Sequence, residues 1–221
     1  MTRTELLKTA KPILFNTEMV SAILDGRKTV TRRVLKNQNE NAYTYDWNYM
    51  DGVKADVDLI CDRNGEVYAL ANKPPCHTGD ILYVREAFAP VIDYIEGEPE
   101  TVYAYKASTP NNQYVGNVMS LPITAWHPSI HMPKEAARIF LRVTDVLVDR
   151  LHDMNFYDIL SEGVEVIPEA YNDPDNAYLQ AVETFEKIWN HTIKKSDLDR
   201  YGWNANPWVW VIEFERVGVK P

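Results

Sequence analysis

A short segment near the N-terminus combines basic and hydroxyl side chains at a spacing that suits nucleophilic catalysis. Residues 27–33 carry four cations and two hydroxyls in a chain of net charge −9. Lys28 lies three residues ahead of Thr31, and a neutral lysine amine is able to take the proton of a threonine hydroxyl. This chemistry needs a lysine with a lowered pKa, and the positive charges of Arg32 and Arg33 act in that direction. The segment predicts an activated oxygen nucleophile, with a solvated basic edge strand as the alternative.

The elements around this segment are expected to form a helix-to-strand corner. Apolar residues at helical spacing, with an acid in the first turn and a hydroxyl cap, predict a short helix over 17–24. Gly26 is expected to end this helix, because glycine adopts a positive φ without steric cost. The β-branched residues that follow predict a strand. Residues three apart in a regular strand point to opposite faces, so Lys28 and Thr31 meet only if the backbone still turns between them.

Further elements are predicted along the rest of the chain. The patterns indicate strands over 80–85, 101–107, 138–148 and 208–214, a hairpin over 56–71 that turns at Asn64-Gly65, and a loop over 36–49. Helices are expected over 156–162, capped by Asn155 and stopped by Gly163, and from residue 175 or 176 with an apolar stripe that includes Phe185 and Trp189. Strands scattered between single helices favour an α+β fold over a doubly wound sheet.

The basic segment also fits the pattern Gly-x-Lys-x-x-Thr-x-Arg, with Gly26, Lys28, Thr31 and Arg32 or Arg33 at its fixed positions. This pattern resembles the signature of ASCH domains, the small β-barrels of the PUA-like superfamily. Further stretches in the expected order resemble the longer ASCH-type proteins common in tailed phages and prophages, and they lie at 79–86, 131–133, 136–138, 161–163 and 206–214. The resemblance extends over roughly residues 13–217.

The resemblance implies a fold and a domain organisation. It indicates a PUA-like/ASCH β-barrel with flanking helices and loop insertions, built as a single domain over residues 1–221. Minimal ASCH domains are about half this length, so segments at about 36–78 and 87–130 are expected to be insertions. These insertions are expected to form either a lid over the barrel mouth or a surface for a partner.

The resemblance also implies an activity, because the superfamily includes a small bacterial amidohydrolase that acts on N4-acetylcytidine. It assigns Lys28 as the base, Thr31 as the nucleophile and, by a looser match, Glu162 as the acid that protonates the leaving amine. Arg32 or Arg33 is expected to bind substrate and stabilise the oxyanion. Two alternatives stay open: a PUA-like module that binds RNA or a nucleotide without catalysis, and a phage interaction protein in which the barrel is a scaffold.

Three other residues are candidates for substrate binding. Tyr83 and Arg85 share one face of a predicted strand and are expected to face the pocket. Trp208 has an aromatic ring that is able to stack on a base, with packing in the core as the alternative. Arg138 is expected to cap a carboxylate in the same pocket.

The composition of the chain indicates which ligands and which cellular compartment are expected. A net charge of −9 argues against tight, sequence-blind binding of long nucleic acid, so we expect a small nucleoside-like ligand and only weak RNA binding. No glycine-rich phosphate loop is present, so no nucleotide cofactor is expected. His127 and His131 flank a proline, and Cys61 and Cys76 lack paired zinc spacing, so we expect no metal. No apolar run reaches a membrane span, and two cysteines as free thiols fit a cytoplasmic protein of a bacterial or phage-infected cell.

Overall fold

The computed structural model describes residues 2–36, 42–44, 59–62, 67–69, 74–117, 120–168 and 172–218. Between residues 37 and 73 it describes only the backbone of three short strands. None of the helices in these ranges is both long and apolar enough to cross a membrane.

Helices and strands alternate irregularly along the described residues. The helices are α1 (Arg3–Thr9), α2 (Thr17–Leu24), α3 (Phe156–Ser161), α4 (Pro174–Thr192) and α5 (Leu198–Tyr201). The strands are β1 (Lys11–Leu14), β2 (Val30–Val34), β3 (Ala42–Thr44), β4 (Leu59–Asp62), β5 (Val67–Ala69), β6 (Ile81–Arg85), β7 (Phe88–Ile95), β8 (Glu98–Tyr105), β9 (Gln113–Val115), β10 (Ser120–Pro122), β11 (Phe140–Arg150) and β12 (Trp208–Arg216). This arrangement confirms the α+β class.

The largest sheet follows the strand order β1-β6-β11-β12-β2. β1 pairs with β6 in parallel, whereas β11 with β6 and β12 with β2 are antiparallel. Smaller sheets join β3 to β4 and β5, β7 to β8, and β9 to β10. Among the described residues the order ends at β1 and at β2, and closure into a barrel is not seen.

The chain divides into two compact units, each built from separate segments. The first comprises Met1–Lys28, Gly79–Arg142 and Glu215–Pro221, and the second comprises Thr29–Thr78 and Val143–Phe214. The expectation of a single domain with insertions stays a prediction. The expected insertion at 87–130 contains the β7–β8 hairpin, whose turn places Glu96 and Gly97 at positive φ values of 53° and 89°. Two consecutive positive φ values match the twist of a tight hairpin.

Each unit has its own apolar core. In the first unit, α1 packs on β6 and the segment before β11 through Leu6, Tyr83, Phe88, Met132, Ala136 and Phe140. In the second unit, α3 and α4 pack on one face of β2 and β12 through Val30, Ile159, Ala181, Phe185, Trp189, Val209 and Val211. The apolar stripe predicted on the long helix is therefore confirmed at Phe185 and Trp189, which are buried.

Several local predictions are confirmed by the backbone. α2 spans Thr17–Leu24 and Gly26 follows at a φ of 78°, although the cap is Asn16, whose side chain accepts a hydrogen bond from the Met19 amide at 2.8 Å. The expected hydroxyl cap was wrong, because the amide oxygen of the preceding asparagine reaches the first turn instead. Asn155 caps α3 as predicted, and Gly163 ends it at a φ of 91°.

The predictions for residues 36–73 are tested only in part. Leu59–Asp62 and Val67–Ala69 pair antiparallel, which confirms the strands of the hairpin, whereas its Asn64-Gly65 turn lies outside the described residues. The predicted loop over 36–49 contains β3, which pairs with β4. A three-residue strand has too few positions to show an alternating pattern in the sequence.

Candidate functional site

β2 presents its polar residues to two different environments. In its antiparallel register with β12, Thr31 lies opposite Ile212, Arg32 opposite Val211 and Arg33 opposite Trp210. Successive residues of a strand point to opposite faces, so Thr31 and Arg33 share one face and Arg32 points to the other. Val211 belongs to the apolar core under α3 and α4, so Arg32 faces these helices.

The Thr31 hydroxyl is buried without a hydrogen-bond partner among the described residues. Thr31 is 1% exposed, and its Oγ1 atom contacts no donor or acceptor in that part of the chain. A buried polar group that lacks a partner costs about 1–3 kcal/mol. Orphaned polar atoms of this kind are rare in folded proteins, and they mark positions where a functional ligand or strain must be considered.

Arg32 and Glu162 form a buried ion pair. The Arg32 Nη1 atom lies 3.2 Å from Glu162 Oε1, and the two side chains are 3% and 4% exposed. Arg32 Nη2 also lies 3.9 Å from a carboxylate oxygen of Asp158. Asp158 belongs to α3, and Glu162 is the residue that ends this helix. Arg32 Nε is buried and has no hydrogen-bond partner among the described residues. The structure thus brings together two of the predicted site residues, Arg32 and Glu162, as an ion pair.

Local structure fixes Glu162 at the end of α3. The Asn155 side chain accepts hydrogen bonds from the Tyr157 and Asp158 amides, while Asp158 Oδ2 accepts from the Asn155 amide, which forms a capping box. One turn later, the Thr29 amide donates to the Ser161 carbonyl at 2.9 Å. Thr29 follows Lys28 in the sequence and Ser161 precedes Glu162, so this bond joins the two segments that carry these site residues.

Arg33 lies on the Thr31 face of β2 and is partly buried. Desolvation by burial lowers the pKa of the Arg33 guanidinium from its usual value, and the negative charge of Glu162 partly offsets this effect. Glu162 therefore interacts with two consecutive arginines that point to opposite faces.

Lys28 is the last residue of the first unit and is buried there. It is 2% exposed, and its Nζ atom lies 5.7 Å from the centroid of the Phe15 ring. Its amide donates to the Ala22 carbonyl at the end of α2, at 3.0 Å. The expected role of Lys28 as a base stays a prediction.

Tyr83 and Arg85 of β6 are held by neighbours in the first unit. Tyr83 belongs to the apolar core and has the Lys134 Nζ atom 5.5 Å from its ring centroid. Arg85 donates through Nε to the Met132 carbonyl at 3.1 Å and through Nη2 to the Ile130 carbonyl. These contacts explain how both residues position the segment around residue 131, and their expected role in substrate binding stays a prediction.

Trp208 is buried at the start of β12. It is 2% exposed, and the guanidinium carbon of Arg150 lies 4.6 Å from its ring centroid. Arg150 Nη1 also donates to the Asn206 carbonyl at 2.8 Å, which fixes the guanidinium in place. One face of the Trp208 ring is thus covered by an arginine, and stacking of Trp208 on a base stays a prediction.

Arg138 binds the carboxylate of Glu86, and the expectation that it caps a carboxylate in the substrate pocket stays a prediction. Its Nε and Nη2 atoms lie 2.8 and 2.9 Å from the two oxygens of Glu86, whose side chain is 1% exposed. The Arg138 guanidinium also stacks on Tyr105 at 4.0 Å. Burial raises the pKa of Tyr105 to about 12, and its hydroxyl donates to the Ala136 carbonyl at 2.5 Å. This cluster anchors β8 to the segment before β11.

Other carboxylates lie near Arg32 in the second unit. Burial raises the pKa of the Asp149 carboxyl, a hydrogen bond from the Arg150 amide lowers it, and Asp153 raises it further. Arg32 acts in the opposite direction on the same carboxyl. Within the described ranges, no group of three or more histidine, cysteine or acidic side chains is arranged to hold a metal ion.

Sequence reasoning missed two residues of this site, Asp158 and Arg150. Asp158 lies in the capping box of α3, and its spacing from Asn155 is a signal that the sequence does contain. Arg150 reaches Trp208 only through the tertiary structure, and no local pattern indicates that contact.

Nothing matches this chain among the protein-family models, the curated proteins or the solved structures. The ASCH resemblance therefore rests on the motifs.

Proposed function

We propose that this protein is an amidohydrolase that acts on a modified nucleoside of the N4-acetylcytidine type, on a PUA-like ASCH fold whose strands close into a barrel. The proposal assigns Thr31 as the nucleophile, Lys28 as its base and Glu162 as a second proton-transfer group. The observation that supports it most is the Thr31 hydroxyl, which is 1% exposed and has no partner among the described residues.

The Thr31 hydroxyl, which has no partner among the described residues, has the properties expected of a reactive group. A valine has nearly the same shape and would avoid the cost of about 1–3 kcal/mol that the orphaned hydroxyl carries. Active sites characteristically hold groups that are costly for stability and gain their partner only when substrate binds. The Thr31 hydroxyl fits this description, because a bound substrate would supply the partner that the described residues do not.

The ion pair changes the role expected for Glu162. The Arg32 guanidinium donates a hydrogen bond to Glu162 Oε1, which places this oxygen as an acceptor. We therefore assign Glu162 to the activation of water, and assign protonation of the leaving amine to Lys28. Arg32 holds Glu162 in place, whereas Arg33, on the face of Thr31, stabilises the oxyanion.

The proposed reaction has two stages, acylation of Thr31 and hydrolysis of the resulting ester. Thr31 Oγ1 attacks the amide carbonyl carbon and its proton passes to the Lys28 amine; the C–N bond then breaks and Lys28 returns that proton to the leaving nitrogen. This stage releases the free nucleoside and leaves an acyl ester on Thr31. In the second stage, Glu162 takes a proton from water, the resulting hydroxide attacks the ester, and the Thr31 oxygen recovers the proton as the carboxylic acid departs.

The proposal is tested by turnover of a defined panel. Purified protein is incubated with N4-acetylcytidine and with cytidines that carry longer N4-acyl groups, and the reaction is followed by the ultraviolet shift on deacylation. We expect release of cytidine and one equivalent of the carboxylic acid. Absence of turnover across the panel, with protein that unfolds cooperatively, would contradict the proposal.

A further inference from the structure

The hydrogen bonds at the base of the β7–β8 hairpin show which of its backbone groups point outward. The Lys106 amide donates to the Ala87 carbonyl at 3.0 Å, just beyond the hairpin. The next pair is Phe88 opposite Tyr105, and the Phe88 amide and carbonyl both bond to His127 instead. In an antiparallel pair, residues that exchange hydrogen bonds alternate with residues whose backbone groups point away from the partner strand. Phe88 and Tyr105 are therefore an outward-pointing pair.

The same alternation turns Thr101 and Tyr103 of β8 outward. Both lie an even number of residues from Tyr105, and β8 pairs with β7 alone among the described strands. No backbone hydrogen bond of Thr101 or Tyr103 on this outer side is found in the described part of the chain. Pro99, which has no amide hydrogen, limits the open stretch at its other end. The outer edge of β8 thus presents free donors and acceptors from Thr101 to Tyr103.

The outer edge of β7 is less suited to accept another strand. Phe88 is already bonded to His127, and Pro90 has no amide hydrogen. The Tyr94 amide donates to Asp93 Oδ1 at 2.8 Å. These features interrupt the row of backbone donors on β7, so an added strand is expected on β8.

The side chains of the hairpin differ between its two faces. Thr101 and Tyr103 share a face with Ile92, which lies opposite Thr101 and is 59% exposed. Glu98 and Glu100 lie on the other face, and both are exposed. The open edge therefore has an apolar surface on one side and carboxylates on the other.

The charge of the hairpin is not balanced within it. Residues 88–105 contain four acidic residues and no lysine, arginine or histidine. Glu98 and Glu100 form no ion pair with any of the described residues. Glu100 lies directly opposite Asp93, and like charges in this relationship are destabilising. A cation beside Glu100 would relieve this repulsion.

We propose that the outer edge of β8 binds an extended segment of a partner protein as an added antiparallel strand, and that this segment alternates basic and apolar side chains. Residues of the added strand that lie opposite Thr101 and Tyr103 exchange backbone hydrogen bonds with them, and their apolar side chains extend the surface of Ile92. The residues between them point to the other face, where lysine or arginine meets Glu98 and Glu100. The surface is independent of the amidohydrolase proposal.

The charge of the edge selects against two other occupants. A second copy of this chain that paired through β8 would bring the glutamates of the two copies, Glu98 and Glu100, close together. A nucleic acid would bring phosphates to the same carboxylates, which repel them. A basic protein segment has neither disadvantage.

The test uses a labelled peptide of about seven residues with capped ends that alternates lysine and valine, and its binding is followed by fluorescence anisotropy. The valines lie opposite Thr101 and Tyr103 in the proposed arrangement, so N-methylation of the valine amides should weaken binding at least about 10-fold. N-methylation of the lysine amides, which point away from β8, should leave the affinity unchanged. These measurements use the wild-type protein, so they do not depend on the folding of a variant.

A second arm tests the charges. Glu98→Gln combined with Glu100→Gln should weaken binding of the unmodified peptide about 10-fold, as expected for the loss of two exposed ion pairs. Glu18→Gln combined with Glu183→Gln is the matched control, because it removes the same charge from exposed positions on α2 and α4. This control should keep the wild-type affinity.

Each remaining outcome would overturn the inference. Absence of binding would mean that the glutamates only protect the edge from aggregation. Affinity that survives methylation of the valine amides would exclude strand addition, and an equal loss in the two double variants would show attraction to the overall negative charge alone. None of these measurements depends on hydrolysis of an acylated nucleoside, so the outcome is separate from that of the amidohydrolase proposal.

Discussion

Arg32 and Glu162 are joined by a buried ion pair, with Nη1 3.2 Å from Oε1, and this pair connects the edge strand β2 to the end of α3. Thr31, one residue earlier, points to the other face of the strand, and its hydroxyl has no partner among the described residues. Two consecutive residues thus differ in role: Arg32 fixes the position of a carboxylate, and Thr31 presents an oxygen whose partner must come from outside the described residues.

The first prediction concerns this ion pair. Arg32→Met or Glu162→Gln removes one side of a buried ion pair, and we expect each to lower the free energy of unfolding by about 3–5 kcal/mol. The measurement is urea unfolding of the single variants and of the double variant. The matched control is Arg142 and Glu215, an exposed pair at 3.4 Å, for which removal of one partner should cost no more than about 1 kcal/mol. Similar losses for the two pairs would show that burial does not strengthen the Arg32 contact.

The second prediction concerns the stability of Thr31→Val. Valine replaces a buried hydroxyl that has no partner among the described residues, so the free energy of unfolding should stay the same or rise by up to about 1–3 kcal/mol. Thr109→Val is the control, because the Thr109 hydroxyl donates to the Tyr105 carbonyl at 2.8 Å and its removal should destabilise the protein. Urea unfolding of both variants measures the difference. A large loss of stability in Thr31→Val would mean that the hydroxyl has a structural partner.

Much of the fold was predictable because its signals are local. Gly26 and Gly163 end helices at positive φ, Asn155 caps α3, and the apolar stripe of α4 repeats with the helical period. The partners of Arg32 and Arg150 were not predictable, because both contacts join residues that are distant along the chain. The motif left Arg32 and Arg33 equivalent, and only the register of β2 with β12 shows that Arg32 faces the core.

The third prediction concerns pH and Asp149. Burial raises the pKa of Asp149 in the folded state, so the folded protein binds this proton more tightly than the unfolded chain. The stabilisation by this bound proton is complete below the pKa of Asp149 in the unfolded chain, and it is lost as the pH rises through the pKa of Asp149 in the folded protein. Asp149→Asn removes this loss, so its Tm should exceed that of wild type at pH 7, and the difference should shrink towards pH 4.

The control for this prediction is Asp145→Asn. Asp145 also accepts a hydrogen bond from the following backbone amide, at 2.8 Å against 2.9 Å for Asp149, so asparagine replaces the same local contact. A gain in Tm at pH 7 that is equal in the two variants would contradict a specific role of Asp149.

The fourth prediction concerns nucleic acids. A chain of net charge −9 should bind long RNA or DNA weakly and with little selectivity, because such binding depends on cations that neutralise phosphates. Filter binding at physiological salt measures it. A dissociation constant near or below about 10⁻⁸ M would contradict the prediction and favour the binding-module hypothesis.

The central claim is that Thr31 attacks the acyl group, and the most direct test is the rate of N4-acetylcytidine deacylation by Thr31→Val, Lys28→Met and the double variant. We predict that each single variant loses at least about 10²-fold in rate, equivalent to about 2.7 kcal/mol, and that the losses do not add because base and nucleophile act as one unit. Thr29→Val, which removes the exposed hydroxyl two residues earlier, should keep the wild-type rate. Full activity in Thr31→Val would contradict the claim and leave water as the nucleophile.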